Sequence, residues 1–133
     1  MDFETASSDP TNTIMDVLDN PGSWNKEKLF RNLPFDDCLI LLDPTCPKEG
    51  LWISRKPGIT WQTVLEYEDF IMWYFPILGM TMDLCELPYL IASGKANFYL
   101  MSKNPQLTEE FVIANPGPWD KDLLKKRFPD LEL

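Results

Sequence analysis

Histidine is absent from the 133 residues of this chain. That absence removes Ser–His and Cys–His pairs, imidazole metal ligands and the usual proton carrier near neutral pH. No glycine-rich phosphate-binding motif occurs either. Neighbouring carboxylates do exist, but in so acidic a chain they are typical of a solvated surface rather than a catalytic pair. We therefore expect no enzymatic activity, no cofactor and no metal site, with a small carboxylate-dependent hydrolase as an alternative.

Basic side chains are scarce. The chain has 12 Lys and Arg against 21 Asp and Glu, which gives a formal net charge of −9. Such a charge repels phosphate backbones and anionic membranes and favours a basic protein partner. The longest apolar run, Phe70–Met80, is shorter than the roughly 20 residues that span a bilayer, and the acidic amino-terminal stretch is unlike a signal peptide. We expect a cytoplasmic protein that contacts neither nucleic acid nor membrane directly.

Cysteine is also rare, with three residues at spacings that fit no disulfide framework or zinc motif. Cys38 and Cys85 lie in apolar sequence surroundings, which predicts that both are buried free thiols. Cys46 lies in a proline-rich connection, and we expect it to be the only exposed thiol. A nucleophilic role for it would need a base that this chain does not provide.

The apolar pattern predicts an α+β fold, a single compact domain with a small antiparallel sheet and flanking short helices. It covers residues 12–133 and follows a flexible amino-terminal tail at residues 1–11. The residues 60–75 fit a helix or a strand, and we favour a helix for their first half. Strands are predicted at Cys38–Leu42, at Leu51–Ser54 and on both sides of a turn at Asn104-Pro105. Helices are predicted at 13–19, 24–33, 82–93 and 119–128.

Nearly the same phrase occurs twice, NPGSWNKEKL from Asn20 and NPGPWDKDLL from Asn115. Residues 13–34 and 108–129 share nine identities, and a looser echo follows Pro57. Because the spacing is irregular, we do not expect a solenoid. Asn-Pro-Gly is suited to end one element before a helix whose first residue, Trp24 or Trp119, folds back onto the core. A structural joint is one interpretation, and a matched pair of tryptophans that docks a partner is the other.

No basic residue lies between Lys56 and Lys95, a stretch rich in acidic, aromatic and methionine side chains. Such a mixture suits a surface that binds a basic, partly apolar partner. The alternative is that the aromatic side chains form the core and the acids its solvated side. The predicted partner-binding residues are Trp61, Glu66, Glu68, Asp69, Trp73 and Tyr74, with Trp24 and Trp119 as a second patch.

These features predict a non-enzymatic binding protein, most specifically a small inhibitor or immunity-type protein that occludes a basic partner. A second interpretation follows from LPFDDCLILLD at residues 33–43, together with the acidic composition and the predicted element order. These resemble bacterial type III secretion chaperones, which are small acidic α/β homodimers that hold an extended client. The resemblance implies a chaperone-like adaptor, a possible homodimer, and a strand at residues 60–75.

Overall fold

The computed structural model describes residues 2–132 and contains eleven helices within them. All are short, from four to eight residues. In chain order they are α1 Phe3–Ala6, α2 Ile14–Asp19, α3 Lys26–Asn32, α4 Phe35–Leu41, α5 Pro47–Ser54, α6 Trp61–Glu66, α7 Phe75–Thr81, α8 Leu87–Ala92, α9 Phe98–Met101, α10 Glu109–Ala114 and α11 Lys121–Arg127.

The predicted α+β fold is wrong, because residues 2–132 contain no strand. The first two predicted strands are α4 and α5, and the predicted strand–turn–strand unit is α9 and α10. A helix of two turns or less is too short to show a period of 3.6, so its apolar run looks like a buried strand. The strand that the resemblance to secretion chaperones implies at residues 60–75 is also absent, because this stretch contains α6. The resemblance keeps only the acidic composition and the stretch at residues 33–43, and the adaptor function that it implies stays a prediction.

Capping residues explain why these apolar runs are helical. Asn97 accepts a hydrogen bond from the backbone of Leu100 at 3.0 Å, and Thr108 from that of Phe111 at 3.2 Å. Asp36 and Asp37 lie in the first turn of α4, where negative charge favours the positive end of the helix dipole. These residues at the start of each helix favour a helix where the short apolar run alone would fit a helix or a strand.

The helices predicted in other parts of the chain are confirmed, with shifted boundaries. Thr13 forms a capping box with Asp16 at the start of α2. Asn25 is the cap of α3, so this helix begins at Lys26 rather than at the predicted Trp24. The first half of the ambiguous stretch is α6, which begins after Thr60. The helix predicted at 82–93 is α8, which begins only at Leu87, and the last predicted helix is α11.

The helices stack in the order of the sequence. The most extensive helix–helix contacts join α3 to α5, α5 to α7 and α7 to α9, with a smaller contact between α3 and α4. From α3 to α9, each odd-numbered helix therefore packs on the next odd-numbered helix, and an even-numbered helix lies between them in the chain. This is the contact order of a helical-repeat stack, in which each unit touches its neighbours. The expectation that the irregular spacing argues against a regular solenoid stays a prediction, since these contacts join only α3 to α9.

Three copies of one arrangement are recognisable, the first at residues 2–34, the middle at 49–83 and the last at 97–129. In each, a fully buried serine donates a hydrogen bond from its hydroxyl to the carbonyl four residues before it. The same hydroxyl accepts, at 2.9 Å, the backbone N–H of the residue that caps a later helix. The pairs are Ser7 with Asn25, Ser54 with Tyr74, and Ser102 with Asp120.

A second hydrogen bond also recurs in all three copies. The carbonyl of the buried serine accepts a hydrogen bond from a polar side chain near the end of that later helix: Asn32 at 3.3 Å, Thr81 at 3.3 Å and Arg127 at 2.8 Å. The two contacts join the buried serine to both ends of the later helix, so they fix how the two odd-numbered helices of each copy meet.

The core runs along the stack as one set of buried apolar side chains. Its equivalent members include Leu29, Leu78 and Leu124, each four residues after a helix cap and at most 1% exposed. The first copy begins inside the predicted tail. Residues 2–11 include α1, and Ser7 is fully buried, whereas Met1 lies outside the described residues. The mobility of the tail stays a prediction, as does the extent of the single domain, whose last residue, Leu133, is also outside the described range.

Candidate protein-binding site

The repeated phrase forms a joint between two helices. Asn20 and Asn115 end α2 and α10 with nearly the same backbone angles, φ −124° and ψ 73° or 75°. Each asparagine amide donates a hydrogen bond at 2.8 Å to the carbonyl four residues before it. The asparagine carbonyl in turn accepts the indole N–H of Trp24 or Trp119, also at 2.8 Å. The repeated sequence therefore has a structural explanation, because both occurrences form the same joint.

The glycine of the joint makes room for an aromatic ring. A Cβ on Gly117 would lie 2.8 Å from the ring of Phe98, too close for carbon atoms, and Phe3 approaches Gly22 in the same way. Phe98 packs edge-on against Trp119, with ring centres 4.9 Å apart. Trp119 is 5% exposed and Trp24 is half-buried. The docking role predicted for these two tryptophans stays a prediction, and their contacts here are internal.

The other predicted contact residues separate into buried and exposed groups. Trp73 is 8% exposed, and its indole N–H donates to the carbonyl of Val64 at 3.1 Å. Tyr74 is exposed, although its backbone N–H is held by Ser54. Glu66, Glu68 and Asp69 are all exposed at the end of α6 and in the turn after it. Trp61 is half-buried at the start of α6. The structure thus presents the three acids and Tyr74 to solvent and turns Trp73 inward.

Trp61 lines a groove between α6 and α8, which we name the α6–α8 groove. It has a volume of about 380 Å³. Glu86, the residue before α8, accepts the backbone N–H of Trp61 at 3.0 Å and so links the two helices. Glu86 and Tyr89 are not among the predicted contact residues, because they lie about 25 residues from Trp61 in the chain and reach the groove only through the tertiary fold. The lining residues are Thr60, Trp61, Gln62, Leu65, Glu86 and Tyr89.

Charge is divided between the two sets of helices. None of the even-numbered helices described contains Lys or Arg, whereas basic residues occur on the odd-numbered helices α3, α5 and α11. Acidic residues occur on four of the five even-numbered helices, and Glu86 precedes the fifth. The even-numbered helices therefore form the acidic part of the stack. Their acidic residues are Asp16, Asp19, Asp36, Asp37, Glu66, Glu109 and Glu110.

The same helices expose large apolar side chains at equivalent positions. In the three copies, the residue four after the capping threonine is a buried valine, and the residue after that is exposed. Leu18 and Leu65 are each 53% exposed and Ile113 is 66% exposed. Tyr89 on α8 and Ile40 on α4 are also exposed. An acidic surface that carries evenly placed apolar side chains is suited to contact with another protein.

A second, smaller cleft of about 90 Å³ lies between α3 and the end of α5, and it is basic. Arg31 and Arg55 approach the carboxylate of Glu27 at 3.9 and 3.6 Å. Lys56 is nearly buried, and its ammonium group donates to the carbonyls of Phe30 and Leu33 at the end of α3. Because that ammonium group binds carbonyls at the carboxyl end of α3, we assign Lys56 a role in stabilising the fold.

The cysteines differ from the predicted pattern. Cys38 is buried, and burial raises the pKa of its thiol, but Cys85 is exposed rather than buried, and Cys46 is intermediate. The expectation that Cys46 would be the only exposed thiol is therefore wrong. Among residues 2–132, no group of three or more Cys, Asp or Glu side chains is arranged to hold a metal ion. Within the same range, no helix is both long enough and apolar enough to cross a membrane.

Comparison of the chain with protein-family models, with curated proteins and with solved structures finds no match.

Proposed function

We propose that this chain is a non-enzymatic protein-binding module. In this proposal its partner is a basic protein that docks on the acidic, apolar surface around the α6–α8 groove. The observation that carries the proposal is the division of charge. Residues 57–94 contain five acids and no base, and they form α6, α7, α8 and the turns between them. A field of one sign over a surface with exposed apolar groups steers a partner of opposite charge and then buries apolar area.

Exposed apolar side chains accompany the acids in this region. Phe70 is 41% exposed, Met72 51% and Tyr74 49%, and they follow Glu66, Glu68 and Asp69 along the chain. Aromatic and methionine side chains are enriched in the centres of protein interfaces. In the most specific form of the proposal, the chain is a small inhibitor that occludes a basic surface of its partner in the cytoplasm.

The acidic pairs support binding better than catalysis. Asp36 and Asp37, like Glu109 and Glu110, lie in the first turn of a short helix, where carboxylates favour the helix dipole. Neither pair lines one of the two clefts described above. We therefore do not carry the hydrolase alternative further.

The test is capture of a partner from native lysate, followed by comparison of two purified variants that carry the same change in charge. Glu66→Lys combined with Asp69→Lys reverses two exposed acids near the groove. Asp130→Lys combined with Glu132→Lys reverses two exposed acids beyond α11. We expect the first variant to weaken binding at least tenfold and the second to change it less than threefold. Binding should also fall steeply between low and high salt, because the Debye length shrinks from about 10 Å at 0.1 M to about 3 Å at 1 M.

Equal loss of binding in both variants would show that only net charge matters and would contradict a localised surface. Undiminished binding in the Glu66→Lys, Asp69→Lys variant at low salt would contradict the proposal outright. Melting temperatures close to that of the natural sequence are required of both variants, since the four exposed side chains make none of the ion pairs found in the structure. Light scattering of the complex would give its stoichiometry and would decide whether the chain acts as a homodimer.

A further inference from the structure

The α6–α8 groove contains a carboxylate with spare hydrogen-bonding capacity. One oxygen of Glu86, Oε2, accepts the backbone N–H of Trp61 at 3.0 Å. Among residues 2–132, Oε1 of Glu86 has no hydrogen-bond or ion-pair partner in the structure. A carboxylate can accept about four hydrogen bonds, so most of that capacity remains available at the groove. Glu86 is fixed in place by a backbone contact and does not have to be ordered when a ligand binds.

Aromatic and aliphatic groups accompany this carboxylate. Trp61, Leu65 and Tyr89 line the same groove, and Tyr89 is 57% exposed. The faces of tryptophan and tyrosine rings attract cations, and tryptophan does so most strongly. The volume of about 380 Å³ lies within the range of small-molecule pockets, which is about 300–1,000 Å³.

A cation already lies on the neighbouring ring. The ammonium group of Lys95 is 4.4 Å from the ring centre of Phe75, and this ring is 6.4 Å from that of Trp61. The aromatic cluster of α6 and α7 thus already holds one cation of the chain itself. The residues that line the α6–α8 groove include the carboxylate of Glu86 and no basic group.

We propose that the α6–α8 groove binds an arginine side chain of the partner, with the guanidinium group on Glu86 and against the rings of Trp61 and Tyr89. Arginine fits better than lysine, because its planar guanidinium stacks on aromatic rings, can donate two parallel hydrogen bonds to a carboxylate and is less strongly hydrated. Leu65 would cover the aliphatic part of the side chain. This inference rests on the proposed function and names the group of the partner that the groove recognises.

The test uses the full chain and three synthetic peptides. The first is the acetylated and amidated peptide Leu-Arg-Leu-Arg, the second has citrulline in place of each arginine, and the third has lysine. Citrulline keeps the shape of arginine and lacks its charge. Binding is followed at low salt by nuclear magnetic resonance of the indole N–H groups, with the Trp61 signal identified from a Trp61→Phe variant. We expect the arginine peptide to shift the Trp61 signal and to bind at least tenfold more tightly than the citrulline peptide and at least threefold more tightly than the lysine peptide.

Two matched variants locate the binding. Glu86→Gln keeps an acceptor for the Trp61 N–H and removes the charge, and it should weaken binding of the arginine peptide at least tenfold. Glu109→Gln removes the same charge from an exposed position on α10 and should change binding less than twofold. If Glu86→Gln lowers the melting temperature, Tyr89→Leu serves as a second variant, because this side chain is exposed and its ring is needed only for the cation. It should weaken binding at least threefold.

The arginine inference is overturned if the arginine peptide does not bind, if the citrulline or lysine peptide binds equally well, or if Glu86→Gln binds as the natural sequence does. Failure of this inference is distinguishable from failure of the proposed function. Suppose that a captured partner no longer binds the Glu66→Lys, Asp69→Lys variant but binds the Glu86→Gln variant normally. This result would support the proposed binding surface and contradict only the arginine in the groove.

Discussion

The first and last copies carry a phenylalanine on the helix that leads to the buried serine, whereas the middle copy carries Gly50 at that position. In the outer copies the ring of Phe3 or Phe98 lies against a glycine of the Asn-Pro-Gly joint. In the middle copy the relationship is reversed, because the joint carries Ile71 and Met72 and the helix carries the glycine. A Cβ on Gly50 would lie 2.1 Å from the carbonyl oxygen of Met72.

The fold of each copy therefore requires that the space between the helix and the joint is filled and that a few backbone hydrogen bonds form. It depends less on which of the two segments supplies the large side chain. All three copies keep the threonine cap, the buried valine, the tryptophan and the buried serine. The tryptophan of the middle copy reaches back nine residues to Val64, where Trp24 and Trp119 reach back four. The middle loop is two residues longer, and its tryptophan donates to the carbonyl of the buried valine instead of to the residue that ends the helix.

Truncation of the joint tryptophans should have the largest effect on stability and should separate the two outer copies. Trp119→Ala should lower the free energy of unfolding by about 3–5 kcal/mol, because the indole is almost fully buried. Trp24→Ala should cost less, about 1–3 kcal/mol, because its ring is partly exposed. Urea unfolding followed by circular dichroism measures both. Unchanged stability in both variants would mean that the tryptophans are not part of the joint and would revive their interpretation as a docking pair.

Alanine at Gly50 tests the reversed packing of the middle copy. We expect Gly50→Ala to lower the free energy of unfolding by about 1–3 kcal/mol, since the new Cβ meets a backbone oxygen that cannot rotate away. Gly79→Ala is the matched control within the same copy. Its Cβ would meet Leu90 and Met101 at ordinary distances of 3.5–3.6 Å, and α7 would gain up to about 1 kcal/mol in helix propensity. A Gly50→Ala variant as stable as Gly79→Ala would show that the close approach is absent.

The smallest expected effect concerns an ion pair that only the first copy has. Lys28 donates to Glu4 at 2.6 Å, whereas the last copy has Leu123 and Tyr99 at the equivalent positions. The hydrogen bond from Lys28, followed by that from Asn25, lowers the pKa of Glu4. Because the folded-state pKa is lowered, this stabilisation is present above the ordinary glutamate pKa and is lost as the pH falls through the lowered value.

The measurement is the melting temperature of the natural sequence and of Glu4→Gln between pH 7 and pH 2. The natural sequence should lose slightly more stability on acidification, and the difference should vanish at the acid end. Glu68→Gln, which removes an exposed acid without an ion pair in the turn after α6, should follow the natural sequence. Identical pH curves for the natural sequence and Glu4→Gln would show that the ion pair contributes nothing, as is common for exposed pairs.

Several features of the sequence indicate this helical fold, although the α+β prediction did not take them into account. Thr13, Thr60 and Thr108 each precede an apolar run and cap a helix, and the buried valine follows each by four residues. The looser echo that follows Pro57 has its equivalent tryptophan at Trp73, because the loop between the capping threonine and the tryptophan is longer in the middle copy. The pair of phenylalanines at 3 and 98 and the pair of serines at 7 and 102 extend the repeat upstream, into residues that looked like a tail.

The binding site was predictable in part. The lack of basic residues from 57 to 94 and the acids near position 66 are visible in the sequence, and the acids are exposed as a surface requires. Whether an aromatic side chain is buried depends on contacts between distant helices. The burial of Trp73 and the exposure of Tyr74 could therefore not be predicted from their positions in the sequence. The groove was beyond prediction for the same reason, because Glu86 meets Trp61 across 25 residues of chain.

The shortness of the helices has a consequence for how the molecule opens. An isolated helix of fewer than about 12 residues is marginal in water, and the longest one here has eight. No helix among residues 2–132 is long enough to persist once its neighbours have left, so we expect a local opening to spread until it reaches the next intact serine contact. Hydrogen exchange should then divide the backbone into a few blocks that follow the copies rather than the helices. A partner that bridges α6 and α8 would raise protection across the whole middle block, well beyond the residues it touches.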